Sequence, residues 1–230
     1  FGPVLHVITY PEGQEDEVVK AINASGYGLT FGMQSRIDEN IKKVTEAINV
    51  GNIYVNRNQI GAVVGSQPFG GCGLSGTGPK AGGRCYLNAF QLGNVEAMDQ
   101  NKLGVSVLPG PDGELNEFHV IPRGTILVVH PDASIRAALS EWAKANGNTV
   151  IEDHKLSDDL KAVMAEVDAV LTENDGQIDG QSLRQMIHAS TARVLPVING
   201  KDDGVWLVSE RHLCRDMTAS GGNVDLLSKS

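Results

Sequence analysis

The apolar positions of this chain fall in short blocks whose period changes along its length, and each change marks an element. Val4 to Thr9 (VLHVIT) is a continuous apolar and β-branched run, which predicts a buried strand. Glu15, Asp16 and Glu17 gather negative charge at a helix start, where the helix dipole favours it. Val18 and Ile22 give that helix its apolar stripe, and Gly26 is a stop signal. Leu29 to Met33 predicts a short strand. Ser35 and Asp38 have the spacing of a capping box beside Ile37, Ile41, Val44 and Ile48, whose steps of four, three and four predict an amphipathic helix ending at Gly51. Ile53 to Val55 predicts the next strand.

Between Gly93 and Val120 periodicity is low, and Pro109, Gly110, Pro111 and Gly113 punctuate it, so this stretch predicts a linker with a boundary near Ile121. Beyond it Thr125–Val129 predicts a strand. Asp132 is placed to cap a helix with Ile135, Leu139 and Trp142 on one face, closed by Gly147. Thr149–Ile151 predicts a strand, Ser157 the cap of a helix carrying Leu160, Val163 and Met164, and Ala169–Leu171 a strand. A helix over Ser182–His188, a strand over Val194–Ile198 and an edge strand over Val205–Val208 complete the series. Such βαβ alternation implies a mostly parallel sheet covered by helices on both faces. After Ser209 no period is visible.

Composition narrows the function classes. The chain has 230 residues, 41% hydrophobic and 20% charged, within the range of ordinary globular domains. A formal net charge of -9, with no basic run, argues against nucleic acid as a ligand. No apolar stretch approaches the roughly 20 residues of a membrane span. Cys72, Cys85 and Cys214 form no CxxC pair, a pattern of reduced thiols. The histidines lack paired ligand spacing, so no metal site is indicated.

The chemistry concentrates in Pro68–Tyr86 (PFGGCGLSGTGPKAGGRCY), which holds seven of the chain's 27 glycines. Interleaved Phe69, Leu74, Pro79 and Tyr86 suit an ordered, ligand-facing loop better than a linker. Gly71-x-Gly73-x-x-Gly76 matches a dinucleotide fingerprint by letter, but SQPFG precedes it in place of a hydrophobic strand and Pro79 follows where a helix should begin. Ser75 has no supporting His or acid as a nucleophile. In the second half, ILVVHPDASIRAAL resembles the first strand and helix of a response-regulator receiver. His130-Pro131-Asp132 supplies only one of the clustered acids a receiver needs for magnesium, so that unit reads as noncatalytic.

Three segments carry a family resemblance: FGPV (Phe1–Val4), GNIYVNR (Gly51–Arg57) and QPFGGCGLSGTGPKAGG (Gln67–Gly83) resemble the carboxy-terminal third of an aldehyde dehydrogenase catalytic domain. The SGTGPKAGG form is similar to the glutamate-semialdehyde (pyrroline-5-carboxylate) dehydrogenase branch. ERHLCRDMTASGGNVDLL (Glu210–Leu227) resembles the motif that closes the long, bifunctional proline-catabolic flavoenzymes of that branch. The resemblance implies an α/β chain in four parts. Residues 1–92 would be the end of the dehydrogenase catalytic domain, 93–120 a linker, 121–209 a noncatalytic, doubly wound, Rossmann-like domain with a mostly parallel sheet, and 210–230 a closing lid motif.

The activity it implies is oxidation of L-glutamate γ-semialdehyde to glutamate with NAD. Gly82 and Gly83 match the loop that anchors the substrate carboxylate through backbone N–H groups, a chemistry that suits glycine because no Cβ blocks the anion. Phe90 matches an aromatic beside the aliphatic part of the substrate, although Asn88 and Ala89 stand where the family has a basic residue. Phe69 matches the active-site wall, and Phe1 a contact to the nicotinamide ribose of the cofactor. No catalytic residue falls in the chain. The family's nucleophilic cysteine and ribose-binding glutamate lie upstream, so the chain reads as a fragment, inactive alone, of a cytoplasmic homo-oligomer whose upstream module is an FAD-dependent proline dehydrogenase. The alternative is a noncatalytic scaffold or lid protein that keeps an aldehyde-dehydrogenase-like fold.

Overall fold

The structure, a computed structural model, describes residues 2–90, 103–153, 160–178, 180–190, 194–200 and 205–218. Helix α1 (Glu15–Ala24) begins on the three acids and stops at Gly26, whose φ of 76° closes it in the left-handed region. Strands β1 (Tyr27–Gly28) and β2 (Thr30–Met33) follow, then α2 (Asp38–Ala47), β3 (Asn52–Val55) and β4 (Cys72–Gly73). Ser35 forms no capping box. Its hydroxyl accepts from the Ile37 N–H, Ile37 itself takes the cap position, and the helix ends four residues before Gly51. Ile37 is 58% exposed, whereas Ile41, Val44 and Ile48 join Val19, Ile53 and Val55 in one core.

The stretch expected as a linker contains strands. Residues 91–102 lie outside the described part, but β5 (Gly104–Leu108) and β6 (Glu114–Pro122) form an antiparallel pair. The tail also departs from its reading. Val205–Leu207 is a 3-10 turn rather than an edge strand, and β11 (Val208–Asp216) inserts between β3 and β6 in a five-stranded sheet ordered β2-β3-β11-β6-β5. β11 runs parallel to β3 and antiparallel to β6. The reason these strands escape a periodicity reading lies in the sheet face they share. Asn52, Glu114, Asn116, His212 and Cys214 share that face with Tyr54, Phe118 and Val120. The opposite face mixes Ile53, Val55, Leu115 and Leu213 with Glu117, His119, Arg211 and Arg215. Asn52, Asn116, His212 and Cys214 are fully buried. Hydrophobic alternation is blurred where polar side chains occupy inward positions.

Val4–Thr9 is not a strand: Val4, Leu5, Val7 and Ile8 are each more than 70% exposed, and no described strand pairs with them. A β-branched run needs a partner ladder to become a strand, and none of the described segments supplies one.

The second half follows its sequence reading closely. Strands β7 (Thr125–Val129), β8 (Thr149–Asp153), β9 (Ala169–Thr172) and β10 (Val197–Asn199) form an all-parallel sheet ordered β10-β9-β7-β8. Helices α3 (Ala133–Ala145), α4 (Leu160–Glu166) and α5 (Gly180–Ser190) connect them. Asp132 caps α3 by accepting from the Ser134 and Ile135 N–H groups; the Ser157 cap of α4 lies outside the described residues. Alternation along β7 splits the core. Ile126 and Val128 pack with Leu139 and Ala143 of α3, while Leu127 and Val129 pack with Met164 of α4 and Leu183 and Ile187 of α5. No helix among the described residues is long and apolar enough to cross a membrane.

Burial separates the two apolar stripes energetically. Leu139→Ala, at a site 2% exposed, should cost about 2–5 kcal/mol of stability through lost contacts and the cavity left behind. Ile37→Ala should stay within about 0.5 kcal/mol. Urea unfolding of both variants checks the contrast.

Candidate functional site

The glycine-rich stretch has few ladder bonds of its own, so its order comes from side chains beneath it. Asn52, at the start of β3, donates from Nδ2 to the Pro68 carbonyl (2.9 Å), while its Oδ1 accepts from the Gly70 N–H (3.2 Å) and from Lys80 Nζ (2.8 Å). Lys80 Nζ also donates to the Gly70 carbonyl. Both limbs of the loop are thereby tied to one buried amide. Phe69 and Ala81 exchange backbone hydrogen bonds across the limbs (3.0 and 2.9 Å). The approach is close enough to demand glycine at Gly51, where a Cβ would lie 1.9 Å from the Gly70 carbonyl oxygen. Ser75 is structural, its hydroxyl accepting from the Gly28 N–H (3.1 Å).

At the tip, the Gly83 N–H donates to the Lys80 carbonyl (2.9 Å), closing a four-residue turn. Gly82 is its third residue with φ 74°, the position where a type II turn requires glycine. A Cβ on Gly82 would meet nothing within 4 Å, so that side of the turn is open. Gly83 faces the other way: a Cβ there would lie 2.9 Å from both carboxylate oxygens of Glu210. Glu210 projects from β11 and accepts from the Lys80 N–H (2.6 Å) and the Cys85 N–H (3.1 Å).

The two glycines singled out by sequence thus share one turn but differ in role, since the Gly83 N–H is spent inside it. Phe69 is half-buried beside this turn through its backbone bridge. Phe90 closes a 3-10 turn (Leu87–Phe90), is 69% exposed and stacks edge-to-face on Tyr86 at 5.2 Å. Phe1 lies outside the described residues. Sequence reading missed Asn52, Lys80 and Glu210. Lys80 carried one signal, being one of two cations in the glycine-rich stretch; Glu210 opens the closing motif, but nothing local linked it to the loop.

The thiols are poorly suited to nucleophilic work. Burial pushes Cys85 and Cys214 up to about 12, and raises Cys72, whose Sγ donates to the Asn49 carbonyl (3.2 Å). Cys214 belongs to a polar network with Arg57, Gln67, Glu114 and Asn116, and Asn116 Oδ1 lies 3.1 Å from His212 Nε2. Burial lowers His212 to about 4, so the imidazole is neutral at pH 7. Among the described residues no group of three His, Cys, Asp or Glu could hold a metal ion.

The glycine loop does not fit a dinucleotide. β4 has two residues, no helix follows it, and a Cβ on Gly73 would lie 2.4 Å from the Gly26 carbonyl oxygen, so the glycines serve internal packing. Behind the loop is a cavity of about 380 Å³, lined by Asn23, Cys72, Lys80, Arg123, Asp168 and Glu210 among others. Arg123 bridges the halves, donating to the carbonyls of Thr77 (3.3 Å), Val208 (2.9 Å) and Trp206. At the carboxyl end of β7, His130 Nδ1 accepts from the Asp132 N–H (3.1 Å), and its Nε2 lies 3.3 Å from Asp175 Oδ2.

Residues 1–94 match the aldehyde dehydrogenase family. Over 99% of its length the chain is similar to a bifunctional protein PutA of Rhizobium meliloti, 35% identical and covering 24% of that protein. The chain therefore spans about a quarter of this relative's length. A 1-pyrroline-5-carboxylate dehydrogenase of Geobacillus sp. is 44% identical over 88 residues, covering 38% of this chain and 16% of that enzyme. Among solved structures, proline utilization A of Corynebacterium freiburgense superposes on 88% of this chain and 24% of its own with a TM-score of 0.67; at 20% identity this similarity shows the fold.

Lys80 makes stability depend on pH. Burial, opposed by the nearby Glu210 carboxylate, lowers its pKa from the ordinary 10.5 to about 7. Between those values the unfolded chain binds more protons than the folded one, so stability should rise with pH from about 7 to about 10.5, and the whole penalty should be present below about 7. Urea unfolding at pH 6 to 9 should show that rise in the parent and a flatter profile in Lys80→Met.

Proposed function

We propose that this chain, a carboxy-terminal segment of the proline utilization A branch of the aldehyde dehydrogenase family, supplies the substrate-carboxylate anchor of an enzyme that oxidises L-glutamate γ-semialdehyde to glutamate. The observation that carries the proposal is the Lys80–Gly83 turn, with Gly82 at φ 74° and open on one side. Among the described residues, the Gly82 N–H donates to no protein acceptor. A glycine amide with no protein acceptor suits a small anion, and the γ-semialdehyde carries its carboxylate at the end remote from the reacting carbonyl. Gly82 orients the substrate, and Phe69 and Phe90 contribute apolar surface on either side of the turn.

The same reading gives the enzyme NAD as its oxidant, which accepts hydride when bound. Phe1 would contact its nicotinamide ribose. The nucleophilic cysteine and an FAD-dependent proline dehydrogenase belong to upstream modules of a cytoplasmic, homo-oligomeric protein. Exposed apolar residues favour such partners: Val4, Leu5, Val7 and Ile8 in one segment, and Ile60 and Val64 in another, are 73–100% exposed.

Two outcomes test this. The isolated 230-residue chain should not reduce NAD with glutamate semialdehyde, because without the covalent nucleophile the chemical step is lost. Turnover that survives replacement of Cys72, Cys85 and Cys214 by Ser would overturn the upstream nucleophile. In the full-length enzyme, Gly82→Val should raise the KM for the semialdehyde about tenfold while leaving the NAD KM unchanged, since a β-branched side chain at this φ strains the turn. Steady-state kinetics with each substrate varied in turn reads the difference.

A further inference from the structure

We propose that Glu210 is a positioning residue for the anchor turn: from β11 it clamps both ends of Lys80–Cys85 and fixes the direction in which Gly82 presents its amide. The proposal rests on the reading of that turn as the substrate-carboxylate anchor. It concerns a residue in the closing strand, 130 positions along the chain from Lys80, and not in the turn itself.

Three observations carry it. The two Glu210 oxygens divide between two amides, Lys80 N–H at 2.6 Å and Cys85 N–H at 3.1 Å, and these bracket the turn on its entering and leaving sides. Carboxylate acceptors are the strong partners for such amides. Gly83 packs its Cα directly over the carboxylate, leaving no room for a Cβ, so the turn sits on Glu210 as on a seat. Finally, a Cβ on Gly82 would meet nothing within 4 Å, and among the described residues its N–H has no protein acceptor. The carboxylate oxygens are engaged by the Lys80 and Cys85 amides, and neither accepts from the Gly82 N–H.

The alternative for a carboxylate so near an anion-binding turn is competition, with Glu210 occupying or repelling the substrate's position. The two roles predict opposite signs. Glu210→Gln keeps the size but turns one terminal oxygen into an N–H₂ donor, which cannot accept from an amide. A lost clamp loosens the turn and weakens substrate binding, whereas a lost competitor strengthens it.

The test is steady-state kinetics of full-length Glu210→Gln, Gly83→Ala, the double variant and Gly82→Val, each with its thermal unfolding midpoint. A clamp predicts that Glu210→Gln raises the semialdehyde KM about tenfold, the factor expected for one charge-assisted hydrogen bond. NAD KM and turnover of a simple alkyl aldehyde that lacks a carboxylate should be unchanged. Gly83→Ala, whose methyl displaces the carboxylate, should have the same effect, and the double variant should be no worse than either single change. A lowered semialdehyde KM in Glu210→Gln would overturn the clamp in favour of competition. Parallel losses with both aldehydes would reduce Glu210 to a purely structural residue and overturn it equally. Unchanged kinetics in Glu210→Gln, with Gly82→Val still raising KM, would reject the clamp and keep the anchor. If Gly82→Val leaves the semialdehyde KM unchanged, the anchor reading itself fails.

Discussion

Buried backbone groups must find hydrogen-bond partners, and in this protein the glycine-rich stretch over Pro68–Tyr86 finds most of them outside a ladder. The sheet beneath it answers that need with polar side chains where strands ordinarily place apolar ones. Asn52 binds two carbonyl or amide groups of the loop and one lysine; Glu210 binds two further amides. Leaving such groups unpaired in the interior costs about 1–3 kcal/mol each, so the loop has one good seat and no comparable alternative. Its shape follows from β3 and β11 more than from its own residues.

That dependence gives β11 an unusual weight. Its alternation sends Glu210, His212 and Cys214 to the loop side and Arg211, Leu213 and Arg215 to the helix side. On the helix side Arg211 donates to the Thr45 carbonyl at 3.1 Å and Arg215 pairs with Asp38, fastening α2 at both ends. On the loop side the same strand carries the carboxylate under the Lys80–Gly83 turn. One nine-residue strand therefore ties the amino-terminal helices, the hairpin of β5 and β6 and the glycine loop into a single unit. Arg123 extends the tie to the parallel sheet, because a guanidinium can reach three carbonyls from one position.

The polar interior is also electrostatically economical. Burial works against the charged forms of Lys80, Arg123 and His212, whose pKa values it lowers. Cys85 and Cys214 respond in the opposite sense and stay protonated. A site built this way positions and orients. It does not by itself supply an activated nucleophile, in keeping with a segment whose proposed role is to hold a substrate for chemistry carried elsewhere.

What the sequence determined alone is what local rules govern. The acid-capped α1, the Asp132 cap of α3 and the parallel strands β7 to β10 were legible because propensity, capping and burial there agree, and the inward positions are mostly apolar. The glycine turn was legible as a loop that needs glycine, and the family motifs pointed to Gly82 and Gly83. Tertiary structure decided the rest. Val4–Thr9 has strand chemistry but no described ladder to join, so it is not a strand. β6 and β11 read as linker and tail because Glu114, Asn116, His212 and Cys214 occupy their inward face, and only the partner across the sheet makes those positions tolerable. Glu210 could not be found from sequence for the same reason: its partners lie 125 and 130 residues away, and no local pattern encodes a contact that exists only once the last strand is in place.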